Sequence, residues 1–246
     1  MEKITFKDLG CISYRDAWDL QQSLMDGLIR DKLELRQLAK AGTLPEMTPV
    51  RNHQLLFCEH RPVFTLGKSG SADHLLMSAP ALEELGFEFF KINRGGDITY
   101  HGPGQLVAYP IFDLDGFFSD VHRYVRYLEE VVIRTLSTYG LAGVRSDGFT
   151  GVWLEPDGNR PMRKICAIGV HLSRWVTMHG FAFNVNTNLM HFDYIVPCGI
   201  ADPNKTVTSL QAELGHEVAM DEVKAEVKRH FQEVFGFAWA EAAQNS

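Results

Sequence analysis

The sequence has no long apolar run. None of its stretches approaches the ~18–20 consecutive apolar residues that cross a bilayer, so we expect no membrane segment. The first residues also lack the basic start, apolar middle and small-residue cleavage site of a secretory signal. We therefore expect a cytoplasmic protein.

Basic residues are in deficit. The chain has 24 Lys and Arg against 31 Asp and Glu, a formal net charge of −7. A nucleic-acid-binding protein needs a basic face to neutralise phosphates, so this balance argues against nucleic acid as a partner. The hydrophobic fraction of 45% and the length of 246 residues suit a globular protein. We expect a single domain over residues 1–246.

Cysteines are few and widely spaced, with no C-x-x-C pair. They are Cys11, Cys58, Cys166 and Cys198. This spacing predicts neither a disulfide framework nor a zinc ribbon, and reduced thiols are expected. Cys58 and Cys166 lie within apolar runs, which is typical of packed core cysteines. Cys198 lies between a proline and a glycine, which predicts an accessible thiol on a turn.

A reactive thiol needs a nearby cation, because a free thiol with a pKa of ~8.5 is only slightly ionised at neutral pH. Lys164, Lys205 and several histidines are the candidates. Lys164 alternates with apolar residues in a predicted strand and would share a face with Cys166. Such a lysine is either at a solvated sheet edge or buried for a functional reason, and periodicity alone leaves both open.

Metal and nucleotide signatures are missing. The sequence has neither the G-x-x-x-x-G-K-[ST] phosphate loop nor the G-x-G-x-x-G pattern. His101, His171, His179 and His191 include no pair at the helical i,i+4 spacing of metal ligands. We expect no metal and no cofactor.

The apolar periodicity predicts several elements. A helix over Tyr14–Leu38 begins at Ser13, a buried strand covers His53–His60, a helix capped by Ser119 covers Asp120–Tyr139, and a last helix covers Asp221–Phe235. Residues 151–186 are predicted to form an antiparallel meander. Strands and helices do not alternate regularly, which indicates an α+β fold with helices flanking a mixed β-sheet.

The segment Arg94–Gln105 has four glycines and one proline among twelve residues, which predicts a loop without regular helix or strand. Backbone N–H groups in such a loop could face a carbonyl or a phosphate of a ligand. An ordinary glycine-rich surface turn is the alternative, and the residues alone do not decide between them.

Several segments together resemble one family. They are CEHRPVFTLGKSG, RGGDITYHGPGQL, RKICAIGV, WVTMHGFAFNVNTNL and VPCGI. In this order they are similar to the lipoyl(octanoyl) transferases, which are octanoyl-carrier protein:protein octanoyltransferases. The matching stretches run from about Leu55 to Leu210, and their combination is highly specific. A longer segment at about 31–52 departs from the family pattern and leaves these motifs intact.

The resemblance implies a fold shared with biotin and lipoate protein ligases, in which a glycine-rich loop frames an acyl tunnel. It assigns the nucleophile to Cys198 and the activating lysine to Lys164. The implied acyl-binding residues are Arg94, Gly95, Gly96, Asp97, Ile98, Thr99, Tyr100, His101, Ala167, Ile168, Gly169, Gly180, Phe181 and Ala182.

The reaction implied by this resemblance is transfer of an octanoyl or lipoyl group from an acyl carrier protein, through a thioester on Cys198, to a protein lysine. The acceptors would be lipoyl domains of 2-oxoacid dehydrogenase complexes and the glycine cleavage H protein. The alternatives are an ATP-dependent lipoate-protein ligase, a thiol hydrolase pairing Cys198 with His101 or His179, and a non-catalytic module that binds lipoyl domains.

The resemblance also implies partners with acidic docking faces. Because the chain itself has a net charge of −7, we expect cations to gather near the site. Those within or beside the matching segments are Arg61, Lys68, Arg94, Arg163, Lys164 and Lys205. As a group they would steer association electrostatically.

Overall fold

A computed structural model describes residues 1–43, 51–196 and 204–240. The helices are α1 (Tyr14–Ala41), α2 (Ala79–Glu84), α3 (Val121–Thr138), α4 (Leu210–Leu214) and α5 (Met220–Phe235). The strands are β1 (Lys3–Ile12), β2 (His53–His60), β3 (Val63–Leu66), β4 (Glu88–Lys91), β5 (Ile98–His101), β6 (Gln105–Ile111), β7 (Gly143–Ser146), β8 (Phe149–Leu154), β9 (Met162–Ser173), β10 (Val176–Asn184), β11 (Lys205–Val207) and β12 (Ala238–Trp239).

A mixed sheet forms the centre of the fold. Over the described ranges its strand order is β12-β1-β2-β6-β10-β9-β8-β7, and β11 also pairs with β9. The pairs β1–β12, β1–β2 and β11–β9 are parallel, and the remaining pairs are antiparallel. A separate small sheet has the order β4-β3-β5. The fold class is therefore α+β with a mixed sheet, as the sequence predicted.

The two faces of the main sheet carry alternate residues of the same strands. On β6, Leu106 and Ala108 enter a core cluster that contains α3 and α5 residues, among them Leu128 and Phe231. Val107 and Tyr109 enter a second cluster that contains α1 residues. Helices α3 and α5 thus cover one face, and α1 covers part of the other.

Helix α1 begins where the sequence predicts, and it ends at Ala41, three residues beyond the predicted Leu38. The Ser13 hydroxyl accepts a hydrogen bond from the Asp16 N–H at 3.1 Å and donates one to the Asp16 carboxylate at 2.7 Å. Gly42 ends the helix with a φ of 69°, the left-handed conformation that glycine adopts readily. Its buried residues recur every three or four positions and are Tyr14, Ala17, Gln21, Met25, Leu28 and Lys32.

A two-residue turn joins β9 to β10. Arg174 and Trp175 both have positive φ values, 50° and 68°, as a type I′ hairpin turn requires and as bulky residues seldom adopt. The Lys32 ammonium donates to the Arg174 carbonyl at 2.8 Å, and the Leu114 N–H donates to the Trp175 carbonyl at 2.8 Å. These contacts hold the turn against α1 and the end of β6.

Most of the predicted elements are confirmed, including the meander β8-β9-β10. Two predictions were wrong in detail. The N-cap of α3 is Asp120, whose carboxylate accepts from the Arg123 N–H at 3.0 Å, and not Ser119. Within the glycine-rich segment, Ile98–His101 forms strand β5 because it pairs with β3. The sequence patterns did not predict β1, β7, β11, β12 or α4.

Candidate active site

A chain of buried hydrogen bonds links the small sheet to the main sheet. The Arg94 guanidinium donates to the Thr65 hydroxyl at 3.0 Å. The Gln105 amide nitrogen donates to Asn184 Oδ1 at 2.9 Å, so its oxygen accepts from His101 Nδ1 at 2.8 Å. The second ring nitrogen of His101 then accepts from the Thr65 hydroxyl at 3.3 Å. Both nitrogens of His101 are therefore engaged within the protein.

The histidines of this region are held neutral. Burial lowers the pKa of His101 well below its usual value, and the nearby His60 and the Arg94 cation lower it further. Burial also lowers the pKa of His60 to about 4. His60 Nδ1 donates to the Ile12 carbonyl at 3.0 Å, which leaves Nε2 to accept from the Tyr109 hydroxyl at 2.7 Å.

His179 has a strained backbone. Its φ is 59°, inside a strand and without the freedom of glycine. Its N–H donates to Gln21 Oε1 at 3.0 Å, and its ring Nε2 donates to Asn93 Oδ1 at 2.8 Å. Burial, with a smaller effect of the Arg94 cation, lowers the pKa of His179 to about 3. Helix α1 therefore holds the backbone of His179, and Asn93, two residues after β4, holds its neutral ring with the proton on Nε2.

The glycine-rich loop lies directly on β9. The Gly95 N–H donates to the Val170 carbonyl at 2.9 Å, and a Cβ at Gly169 would stand 2.9 Å from the Gly95 carbonyl oxygen. A Cβ at Gly180 would stand 2.1 Å from the Ala108 carbonyl oxygen. Only glycine allows these two close approaches, which bring the loop and three strands together.

A narrow cavity lies between this loop and the face of the main sheet that α1 covers. Its free volume is about 50 Å³. It is lined by Tyr14, Arg94, Gly96, Asp97, Thr99, His101, Val107, Tyr109, Thr150, Lys164, Ala167, Ile168, Gly169, His179, Gly180, Phe181 and Ala182. Alanine and glycine on β9 and β10 leave this space open, and Tyr14, His101, Tyr109 and His179 bring rings to its boundary.

Lys164 lines a second, wider cavity as well. That cavity has a volume of about 320 Å³ and is lined by Trp153, Lys164, Phe192, Asp193, Ile195, Lys205, Thr206 and Val207. Lys164 is only 8% exposed, and its ammonium lies 4.6 Å from the centroid of the Trp153 ring. Of the two interpretations of Lys164, the structure thus supports burial rather than a solvated sheet edge. A buried ammonium stabilises an anion that forms nearby.

The chain on either side of residues 197–203 borders the wide cavity. Ile195 lines it on one side and Lys205 on the other. Strand β11 pairs Val207 with Lys164, and the Thr208 N–H donates to the Lys164 carbonyl at 2.9 Å. Cys198 itself lies outside the described residues.

Comparison with known proteins gives the family. The model of the lipoyl protein ligase A/B catalytic domain matches residues 13–232. This chain belongs to that family. The match spans the small sheet, the glycine-rich loop and the strand of Lys164, which are the parts that build the two cavities.

Two relatives within the lipoyl protein ligase A/B family are named octanoyltransferase. The protein of Cytophaga hutchinsonii is 51% identical over 235 residues, which cover 95% of this chain and 93% of the relative. The protein of Christiangramia forsetii is 52% identical over 235 residues, covering 95% of this chain and 96% of the relative. The resemblance to octanoyltransferases is thereby confirmed.

Solved structures support the fold. The bi-partite lipoate protein ligase of Thermoplasma acidophilum superposes with a TM-score of 0.66 at 16% identity, covering 98% of this chain and 86% of the other. Biotin protein ligase of Aquifex aeolicus superposes with a TM-score of 0.50 at 14% identity, covering 96% and 71%. The fold predicted from the resemblance, that of biotin and lipoate protein ligases, is confirmed.

The structure brings most of the expected acyl-binding residues of the family together. Arg94, Gly96, Asp97, Thr99, His101, Ala167, Ile168, Gly169, Gly180, Phe181 and Ala182 line the narrow cavity. Three do not: Gly95 contacts β9 through its backbone, while Ile98 and Tyr100 belong to the core of the small sheet with Phe64. Alternation along β5 explains the difference, because Thr99 and His101 face the cavity.

The described cysteines differ in accessibility. Cys58 and Cys166 are fully buried, and Cys11 is exposed. Burial raises the pKa of the Cys166 thiol well above its usual value, and the nearby Glu129 carboxylate adds to this shift. Cys166 belongs to the core cluster below α3, whereas Lys164 lines the cavities. The two residues face opposite sides of the sheet because the β8–β9 pairing shifts register between Cys166 and Lys164.

The expected cluster of cations does not form one exposed face. Arg94, Arg163 and Lys164 are buried, and Arg163 pairs with Glu213 at 2.8 Å. Of the six cations expected near the site, Arg61, Lys68 and Lys205 have exposed or half-exposed side chains. In the described ranges no three His, Cys, Asp or Glu side chains are close enough to hold a metal ion.

Several lining residues carried no signal in the sequence. Tyr14, Val107 and Tyr109 occupy apolar-face positions of α1 and β6, where they read as ordinary core residues. For His179 the sequence suggests only a metal ligand or the partner of a hydrolase thiol, and neither role predicts its place in this lining. Within the described part of the chain, no helix combines the length and apolar character needed to span a membrane.

Proposed function

We propose that this chain transfers an octanoyl group from an acyl carrier protein to a lysine of a lipoyl domain, by way of a thioester on Cys198. Octanoyl transfer is the activity named for relatives that are about half identical over most of the chain. The observation that carries the mechanism is the position of Lys164. It is buried, it lines both cavities, and it shares the wide one with Ile195 and Lys205, on either side of residues 197–203.

Chain connectivity supports the pairing of Cys198 with Lys164. Two peptide links separate Cys198 from Val196, and they span at most about 7 Å. Val196 donates its N–H to the His74 carbonyl at 2.8 Å, and its neighbour Ile195 lines the wide cavity. The described chain thus ends beside the cavity that Lys164 also lines, two residues before Cys198, and this connectivity supports the proposed pairing.

The first half-reaction moves the acyl group between two thiols. The Cys198 thiolate attacks the carbonyl carbon of the carrier thioester, and the carrier thiolate leaves from the tetrahedral intermediate. The ammonium of Lys164 stabilises the attacking thiolate. One thioester replaces another, so no nucleotide is consumed.

The second half-reaction forms the amide. The neutral ε-amine of the acceptor lysine attacks the Cys198 thioester, the C–N bond forms and the C–S bond breaks. Lys164 gave its proton to the departing carrier thiolate in the first half-reaction, so it is now a neutral amine that takes the proton lost by the attacking nitrogen. Cys198 leaves as the thiolate beside the restored ammonium. An amide is more stable than a thioester, which makes this step the favourable one.

The narrow cavity is the proposed acyl site. Its floor consists of small residues on β9 and β10, and the Arg94–His101 segment forms its roof. The free volume of about 50 Å³ holds only a few water molecules, so an acyl chain enters by displacing side chains of the wall. The proposed acceptors are the lipoyl domains of 2-oxoacid dehydrogenase complexes and the glycine cleavage H protein.

The ATP-dependent lipoate-protein ligase is less supported as an activity. The solved ligases are under 20% identical to this chain and support its fold alone. Incubation of the purified chain with an octanoyl thioester and a lipoyl domain, with no nucleotide present, tests the proposal. We expect an octanoyl mass increase on the acceptor and a transient one on Cys198. Strict dependence on ATP would contradict the proposal.

A further inference from the structure

The floor of the narrow cavity changes size from strand to strand. In the register, Ala182 on β10 pairs with Ala167 on β9 and with Val107 on β6. Paired residues of antiparallel strands project from the same face, so these three form a row across the sheet. In the neighbouring row, Gly169 pairs with Gly180. The floor is therefore nearly flat on β9 and β10 and rises at β6.

Among the described residues, packed side chains fill the space behind that rise. Val107 pairs with Cys58 on β2, and both side chains are buried in the cluster below α1. Tyr109, two residues further along β6, is held by its hydrogen bond with His60 at 2.7 Å. A ligand that crosses from β9 to β6 meets packed protein there.

Tyr14 closes the same end from above. It is the first residue of α1 and is 1% exposed. Its ring stacks on His101 with a centroid distance of 5.9 Å and on Phe90 at 5.4 Å, and lies 5.2 Å from the His60 ring. Rings on several sides clamp it, and the cap at Ser13 fixes its backbone. A side chain held in this way acts as a rigid stop.

The spacing agrees with the length of the acyl group. Two strand spacings separate β9 from β6, about 10 Å in all. An extended eight-carbon chain with C–C bonds of ~1.5 Å is about 9 Å long. A chain of that length therefore spans the floor from β9 to the rise at Val107 on β6.

We propose that Tyr14 and Val107 form the end wall that limits the accepted acyl chain to about eight carbons. This inference deepens the proposed function, since it names the determinant of substrate length in the same site. It assigns a specificity role to two residues outside the motifs that define the site. The ring of Tyr14, rather than its hydroxyl, supplies the stop.

The test measures binding separately from transfer. Hexanoate, octanoate, decanoate and dodecanoate are titrated calorimetrically into the Cys198→Ala chain, which needs no chemistry to bind them. Each buried methylene improves binding about four-fold, so affinity should climb to octanoate and then stop. In Tyr14→Leu the climb should continue, and two further methylenes raise the ratio of decanoate to octanoate affinity about 16-fold.

Three further variants isolate the wall. Tyr14→Phe keeps the ring and should keep the cut-off at octanoate. Val107→Leu raises the floor and should move the cut-off down to hexanoate. This shift is opposite in direction to that of Tyr14→Leu and does not depend on Tyr14. Tyr124→Leu makes the same substitution at a buried tyrosine of α3, on the other face of the sheet, and should leave the cut-off unchanged.

The same donors are then compared as small thioesters in the transfer reaction with Cys198 intact. An unshifted cut-off in folded Tyr14→Leu and in Val107→Leu would overturn the wall, and so would an equal shift in Tyr124→Leu. Shifted binding with no transfer from any donor would keep the wall and refute the proposed function. Octanoyl transfer with an unshifted cut-off would support the proposed function and refute the end wall.

Discussion

The two faces of the main sheet are built on opposite principles. Below α3 and α5, the face is filled by large apolar side chains, and Phe231 stacks on Phe181 at a centroid distance of 5.7 Å. On the other face, β9 and β10 carry alanine and glycine, and the space beside them is bounded by neutral histidines and tyrosines. The same strands form both faces, so the difference lies in the side chains that alternate residues point to each side.

The difference separates stability from chemistry. A face of interlocking large side chains excludes water and gains free energy from every buried methylene. A face of small residues gives up that gain and leaves room for a ligand, while fixed hydrogen bonds keep its polar groups in one arrangement. Substitutions on the two faces should therefore have effects of different kinds.

The largest expected effect comes from comparing two cysteines. Cys198→Ala should lower the rate of octanoyl transfer by roughly 10³-fold or more, because no acyl-enzyme can form. Cys166→Ala, in the core face, should keep most of the activity because its thiol is buried and protonated. Transfer rates and circular dichroism of both variants check this. An inactive but folded Cys166→Ala beside an active Cys198→Ala would reverse the assignment.

The core face should dominate stability. Phe231→Ala removes a ring that contacts Phe57 and Phe181, and should lower the free energy of unfolding by about 3–5 kcal/mol. Leu76 is 59% exposed and offers a control. Leu76→Ala should change the free energy of unfolding by less than about 0.5 kcal/mol. Urea titration measures both values. Similar losses in the two variants would contradict the packing seen here.

The cavity face should make stability sensitive to acid. The pKa of His60 is about 4 in the folded chain, against 6.5 when unfolded, so the unfolded state binds more protons between these values. The free energy of unfolding should therefore fall as pH drops from 6.5 towards 4, by up to about 1.4 kcal/mol per unit for this residue. His60→Gln should flatten the slope between pH 7 and pH 5. A parallel slope in the variant would exclude His60 as a contributor.

Lys164 should have a smaller, chemical effect. Lys164→Met removes the buried ammonium, so the pH midpoint for alkylation of Cys198 by iodoacetamide should rise by about one unit, equivalent to ~1.4 kcal/mol. Lys205 lines the wide cavity too, but its ammonium lies over the Phe149 ring at 4.2 Å. Lys205→Met is the matched control and should shift the midpoint less. Equal midpoints in wild type and Lys164→Met would remove Lys164 from its proposed role.

Local patterns predicted the elements whose stability is local. Ser13 and Gly42 delimit α1 through contacts within a few residues, and both signals can be read directly from the sequence. Strand β5 could not be read in this way because its four residues are extended only through pairing with β3. The short strands β11 and β12 depend in the same way on partners far along the chain.

The site was predictable only as a set of motifs. The resemblance pointed to the loop at Arg94 and to strands β9 and β10, and the structure places most of those residues around one cavity. Tyr14 lies about 80 residues before Arg94, and its position follows from packing on His101 and Phe90, which no local pattern encodes. The neutral state of His101 likewise depends on a network that crosses both sheets.

The tight turn at Arg174 and Trp175 bears on the order of folding. It joins β9 to β10 with two residues, so that hairpin closes its first contacts with little loss of chain entropy. The pairing of β1 with β2 must wait for a far longer loop, which contains α1. We expect the hairpin, and with it much of the cavity floor, to be ordered early in the transition state. The ligand-binding surface would then be a template on which the rest of the chain condenses.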